Sequence, residues 1–367
     1  MIKNFCRFPW TQLIVNTATN QWRWCPIVEQ QSDFLQEYPL NNKELTSVRD
    51  AINNDQRHNA CKGCWSEEDL GFRSFRQSRG GDNAYGVGHG VRSLTVDIGS
   101  LDNKETFSKL VELITTNISY IKLINIRARG FTNSSDLFNL IDTLLNSQKV
   151  SQKPELRILT NGYYEYELEQ SLTALRKNGW HTSVIFQLEA IAENLDFLRQ
   201  SIQWETVRPN FRKLVIAQHC KEIEVTVNAL NLHMLSDIPA WLNKIDMIDI
   251  IKPTINIETG IVSLTNLGEL GLYLAPGLSK WKEHPNWTEA ANKVNKIIRK
   301  QRFVKPKHET LLALIDKIKA DAIATNMTVP LRIKKIAYLA DISQRQLSLM
   351  HTAKDEENDL ETQADLG

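Results

Sequence analysis

No stretch of this 367-residue sequence approaches the roughly 18 uninterrupted apolar residues that cross a membrane, so no spanning helix is expected. The opening MIKNFCRFPWTQLIV has neither a clean apolar core nor a small-residue cleavage site, and does not read as an export signal. Charge of one sign is not in excess. Lys and Arg number 44 against 43 Asp and Glu, and a net charge of +1 exerts no whole-molecule pull on nucleic acid or an anionic membrane. Cysteine is scarce and odd in number: five fit poorly with a disulfide framework, and the missing export signal points to a reducing cytoplasm, where thiols stay free or bind metal. Internal repeats are lacking too. What is present is an ordinary globular composition, 42% hydrophobic and 24% charged, in a chain long enough to build its core without staples.

Four of the five cysteines crowd the N-terminal segment. Cys6 is followed after eighteen residues by Cys25, and after thirty-five more by Cys61-Lys62-Gly63-Cys64. A Cys-x-x-Cys pair brings two thiolates onto one tight turn, and Gly63 would permit the unusual backbone angles of such a knuckle. Cys6 and Cys25 complete the four ligands that tetrahedral zinc or a cubane iron–sulfur cluster requires. A redox pair at Cys61 and Cys64, or inert buried thiols, are the competing readings. His58 is the one other ligand candidate nearby. Trp10, Trp22, Trp24 and Trp65 read as a small core shielding the centre. Arg73, Arg76 and Arg79 read as compensation for its negative charge, as contacts to an anionic partner, or as a solvated face. The remaining Cys220 has no second ligand set around it and reads as a buried hydrophobe.

Period-two runs and helical periodicity organise the rest. Strands are expected at Thr11–Asn16, Trp22–Cys25, Ser93–Ile98, Tyr120–Arg127, Glu155–Thr160, His181–Gln187, Glu222–Ala229 and Met247–Pro253. Helices are expected at Leu45–Asn53, Phe107–Leu113, Ser135–Leu145 and Glu165–Lys177, the last capped by Asn178-Gly179. Strands alternating with helices predict parallel βαβ crossovers, an α/β fold, and six such strands fit an open or partial barrel. Trp287–Lys300 and Glu309–Asn326 extend as amphipathic helices. The implied division is a Cys-rich module over 1–90, a barrel over 91–285, a helical region over 286–350 and an acidic, disordered tail over 351–367. The glycine-rich stretch Arg79–Gly90 reads as a linker or close-approach loop.

Phe5-Cys6-Arg7-Phe8-Pro9-Trp10, followed by a strand and turn ending at Cys25, resembles the opening of twitch-domain radical SAM proteins. That family continues with Cys-x-x-Cys, an acidic residue, Gly and Ser-x-Arg; here Cys61, Cys64, Gly71, Ser74 and Arg76 stand in that order. Fainter likenesses follow at Thr160-Asn161-Gly162, at Leu195-Asp196-Phe197-Leu198-Arg199 with Trp204-Glu205-Thr206-Val207, and at Val227-Asn228-Ala229-Leu230-Asn231, covering roughly residues 5 to 300. The resemblance implies a partial (β/α) barrel of the radical SAM type with a small twitch-like module holding an auxiliary [4Fe–4S] cluster on Cys6, Cys25, Cys61 and Cys64. Two departures stand against radical chemistry. The stretch Ser93–Asp102 has none of the three cysteines that bind the SAM cluster, and Arg127-Ala128-Arg129-Gly130 replaces the Gly-Gly-Glu-like motif that holds SAM. SAM is therefore not an expected cofactor.

Arg127 and Arg129 alternate along a strand end, where two guanidiniums suit a carboxylate or phosphate or else pair with Asp97. Three functions stay open: a degenerate homologue with one cluster, acting as accessory or binding partner of a protein, peptide or active enzyme; an enzyme of altered chemistry with an anionic ligand near Arg127, Arg129, Asn161 and Asn228; and a zinc-clipped interaction protein.

Overall fold

The computed structural model describes residues 6–28, 32–34, 39, 42–69, 74, 76–77, 91–98, 104–128, 139–144, 153–164, 168–199, 202–257, 264, 278–300, 308–330, 333–334, 336–337 and 341. They form an α/β protein with nine strands of mixed sheet. The chain divides into two compact units, Met1–Ile185 with Asn210–Cys220, and Phe186–Pro209 with Lys221–Gly367.

In the first unit, strands β1 (Gln12–Asn16), β2 (Gln21–Arg23) and β3 (Ser32–Asp33) form an antiparallel edge. β1 then pairs in parallel with β4 (Ser93–Ile98), so the cysteine segment and the strand after the glycine-rich stretch share one sheet. β5 (Leu123–Ala128), β6 (Glu155–Thr160) and β7 (His181–Gln187) follow in order, with β4, β5 and β6 parallel to one another. The β1–β2 turn closes because Asn16 Oδ1 accepts hydrogen bonds from the backbone N–H groups of Ala18 and Thr19 at 3.0 and 3.2 Å, and Asn20 takes a left-handed φ of 54°. Leu94, Val96, Ile124, Ile126, Leu156 and Ile158 are fully buried and share one face of the sheet, whereas Ser93, Asp97, Asn125, Arg127, Glu155 and Arg157 on the other face are half-buried.

Helices α1 (Phe8–Thr11), α2 (Lys43–Asn53), α3 (Lys62–Asp69), α4 (Lys104–Asn117) and α5 (Leu168–Lys177) belong to this unit. α5 buries Leu168, Leu172 and Leu175 on one stripe. It ends as its sequence predicts: Gly179 adopts φ +83°, and the Trp180 N–H reaches back to the Leu175 carbonyl at 3.1 Å.

The second unit holds α6 (Glu193–Leu198), most of β8 (Cys220–Val227), α8 (Asp237–Lys244), β9 (Lys252–Ile257), α9 (Leu278–Trp281), α10 (Pro285–Lys300) and α11 (His308–Thr325); α7 (Trp204–Ile216) starts in it and ends in the first. β8 and β9 are parallel. α10 buries Trp287, Ala290, Ala291, Val294 and Ile298 and packs on β9. Trp281 and Trp287 meet edge to face, centroids 4.8 Å apart, and their indole N–H groups donate to the Leu235 and Ile251 carbonyls.

The strands expected at Trp22–Cys25 and Glu222–Ala229 are Gln21–Arg23 and Cys220–Val227, and two other strand starts shift by three residues or more. The strand read at Met247–Pro253 begins at Lys252, because Met247, Ile248 and Ile251 bury themselves in the turn that closes α8, where Asp246 takes φ 55° and the Ile251 N–H bonds the Met247 carbonyl. The strand read from Tyr120 begins at Leu123, since Tyr120 and Ile121 still donate to the Asn117 carbonyl at the end of α4. A short apolar run does not by itself distinguish a strand from a buried turn. Residues 139–144 are helical, within the helix expected there. The stretch Arg79–Gly90 and the acidic tail lie outside the described residues.

A Cβ at Gly179 would meet nothing within 4 Å, so Gly179→Ala isolates backbone strain. It is expected to cost about 1 kcal/mol, read as a lower urea midpoint at unchanged slope.

Candidate metal centre

Three separate segments supply the four cysteines. Cys6 precedes α1, which leads directly into β1, and Cys25 follows β2. Antiparallel pairing, with Ile14 opposite Arg23 and Asn16 opposite Gln21, puts the start of β1 beside the end of β2 and so brings Cys6 and Cys25 to one end of the hairpin. Cys61 closes a single 3-10 turn (Asn59–Cys61) that runs into α3, and Cys64 lies in the first turn of α3. α2 docks on α1, with Arg49 Nε donating to the Pro9 carbonyl at 2.9 Å.

All four cysteines line one cavity, with about 410 Å³ of empty space that includes its mouth, together with Phe8, Pro9, Trp24, Ile27, Val28, Gly63 and Arg76. Cys6, Cys25 and Cys64 are buried, and Cys61 is half-buried. All are free thiols. Among the described residues, no group of three or more His, Cys, Asp or Glu side chains is set as a metal ion would need them.

Burial pushes the Cys6 thiol up to about 12, and repulsion from Cys25, Cys61 and Cys64 adds to it, while the Phe8 backbone N–H works in the other direction. Burial and the thiols of Cys25 and Cys64 likewise push Cys61 up to about 12, against the pull of Arg76. Burial raises Cys25 despite hydrogen bonds from the backbone N–H groups of Ile27 and Val28. Unaided, these thiols stay neutral. Yet each of the first two loops aims a backbone N–H, two residues beyond the cysteine, at its sulfur.

The wall on the Cys61 side is braced by a buried ion pair that sequence reasoning missed. The Glu68 carboxylate accepts from Arg76 Nη2 at 2.5 Å and Nε at 3.0 Å, and from Ser74 Oγ at 2.5 Å. The Arg76 and Glu68 side chains are only 9% and 10% exposed. The Arg76 guanidinium lies 4.6 Å over the Trp65 ring, whose indole N–H donates to the His58 carbonyl at 3.2 Å. Ser74 and Arg76 were legible as motif residues; their shared partner Glu68 was not, because three adjacent acids, Glu67, Glu68 and Asp69, look alike in sequence.

One expectation is corrected. Gly63 does not make a knuckle with unusual angles: it is helical, its φ is not positive, and an added Cβ would meet Ile27 Cγ2 at an ordinary 3.5 Å. His58 is engaged elsewhere, with Nδ1 accepting from the Ala60 N–H at 3.1 Å and Nε2 paired with Ser47 Oγ at 3.3 Å. Trp22, Trp24 and Trp65 are buried as expected, and Trp10 is half-buried. Arg73 and Arg79 lie outside the described residues. Cys220 opens β8 and is completely buried.

The residues read as a ligand pocket have other placements. Arg127 faces Asp97, its register partner on β4, at 3.6 Å, and Arg129 lies outside the described residues. Asn161 Oδ1 accepts from the Tyr163 N–H at 3.0 Å in the turn after β6, in the first unit. Asn228, in the second unit, accepts from the N–H groups of Leu230 and Asn231 in the turn after β8. These bonds order the loops that carry the two asparagines.

Comparison of the chain with family models, with curated proteins and with solved structures finds no match in any of the three.

Burial pushes the Glu68 carboxyl up, but the bonds from Arg76 and Ser74 outweigh it and hold the group below the ordinary carboxylate range. Its contribution is therefore complete above the unfolded value of about 4.3 and fades as pH falls through the lower folded value. Glu68→Gln leaves Arg76 buried without its anion and is expected to cost about 3–5 kcal/mol at neutral pH. The variant's deficit should shrink on acidification below about pH 4, in urea melts across a pH series.

Proposed function

We propose that this chain is an iron–sulfur protein that holds one [4Fe–4S] cluster on Cys6, Cys25, Cys61 and Cys64, and serves as an accessory or binding partner without cleaving SAM. The observation that carries this reading is the convergence of four cysteines from three chain segments on a single cavity. Four thiolates around one metal centre are its complement for either zinc or a cubane cluster. Zinc would draw the sulfurs to about 3.8 Å from one another, at zinc–sulfur bonds of about 2.3 Å. The likeness of the cysteine blocks to the twitch module favours the cluster over zinc.

The chain's own groups fit such an occupant. Burial favours the protonated thiols of Cys6 and Cys61, so binding iron exchanges protons for metal and makes folding of the loops and loading of the site one coupled process. Arg76 supplies a cation at the cavity wall, and the backbone N–H groups of Phe8, Ile27 and Val28 meet the sulfurs that would carry negative charge. A cluster held by four cysteines has no open iron, and when bound it supplies one-electron transfer or a structural clip. The remaining cysteine, Cys220, is fully buried at the start of β8, so no three thiols remain for a SAM cluster. Consecutive parallel strands β4, β5 and β6, with α4 between the first two, support a barrel-like frame of the radical SAM type in the first unit.

Anaerobically purified protein is expected to be brown, with about four iron and four sulfide per chain, and Cys61→Ala should lose both. Colourless protein with one zinc per chain overturns the cluster. Reductive cleavage of bound SAM overturns the accessory role.

A further inference from the structure

We propose that the Trp24 indole N–H donates a hydrogen bond to a sulfur of the cluster and raises its reduction potential, an inference that rests on the cluster reading above. Trp24 is 2% exposed and lines the cysteine cavity. Its Nε1 is buried with no hydrogen-bond acceptor among the described residues. A buried N–H left without an acceptor is costly, and most indoles in this position find one. The indoles of Trp65, Trp281 and Trp287 do so here, each with a backbone carbonyl. The protein thiols, as placed, do not accept from Trp24 either. Trp24 is one of the residues that enclose the cavity lined by the four cysteines.

A cluster sulfur is the acceptor this donor suits. Reduction adds one electron, whose charge spreads over iron and sulfur, so a fixed N–H stabilises the reduced state more than the oxidised one. Trp24 would act alongside the backbone N–H groups of Phe8, Ile27 and Val28, which face the cysteine sulfurs. It differs from them in being removable without touching the chain's course. A potential set by a side chain favours electron exchange over a purely structural clip. Trp22 provides the control: its indole N–H also lacks an acceptor and its ring packs against Trp24 at 6.0 Å, but it does not line the cavity.

The full-length chain, purified anaerobically, can be titrated with dithionite and redox mediators while the reduced cluster is followed by electron paramagnetic resonance. Trp24→Phe is expected to keep its iron and sulfide and to shift the midpoint to more negative potential, and Trp22→Phe to leave the midpoint unchanged. An iron-loaded Trp24→Phe protein with the wild-type midpoint overturns the inference, as does an equal shift in Trp22→Phe. Wild-type protein without iron instead defeats the cluster reading itself. Should Trp24→Phe fail to load, pulsed resonance of the reduced wild-type protein carrying indole-15N tryptophan decides: coupling to one indole nitrogen is expected, and its absence overturns the bond.

Discussion

The thiols of Cys6, Cys25 and Cys61 resist ionisation in the cavity they share with Cys64, and the geometry around them answers that constraint. Burial alone holds Cys6 and Cys61 neutral at physiological pH, and mutual repulsion among the sulfurs adds to the effect. Groups that favour negative charge nonetheless ring the cavity: backbone N–H groups aimed at Cys6 and Cys25, the N-terminal turn of α3 at Cys61 and Cys64, and the Arg76 guanidinium. A site that only packed thiols as hydrophobes would need none of these. A metal such as the proposed cluster would release the tension between desolvation and stabilising dipoles, because it would replace the protons outright.

Arg76 is itself a buried cation, and it needs an anion that is not a cysteine. Glu68 fills that need and accepts the Ser74 hydroxyl as well, so the chain beyond α3 is pinned to the helix carrying Cys64. Trp65 fills the space beside this pair, under the guanidinium, and its N–H returns to the backbone just before the Cys61 turn. The hairpin does the same service on the other side, because its register alone decides that Cys6 and Cys25 end up together.

Much of the frame was readable along the chain. Ser93–Ile98, Glu155–Thr160 and His181–Gln187 are strands with the bounds their apolar runs indicate, and α5 ends where Asn178-Gly179 signals. A single buried face writes an apolar residue at every second position, and a left-handed cap calls for glycine, so local chemistry carries the message. Where apolar residues were buried by a turn, as at Met247–Ile251, the same signal misled by five residues at the strand start. The Cys-x-x-Cys pair was legible as two thiols close together, but its conformation was not. A helical start brings both thiols to the cavity without any demand on Gly63. Asn161 and Asn228 stood out in the sequence through the family resemblance, and what only the structure adds is that each bonds the backbone of its own turn.

Sequence by itself determined the number of thiols, their grouping into two single cysteines and one pair, the alternation of strands and helices, and the shortage of cysteines for a second cluster. These are properties of composition and local period, and they need no long-range information. Tertiary structure decided that the three segments meet, that Glu68 among three neighbouring acids is the one buried against Arg76, and that Trp24 lines the cavity with its N–H buried and without an acceptor among the described residues. Each depends on strand register and helix docking between residues far apart in the chain, and desolvation, which gives those contacts their strength, exists only once the surrounding surface has closed.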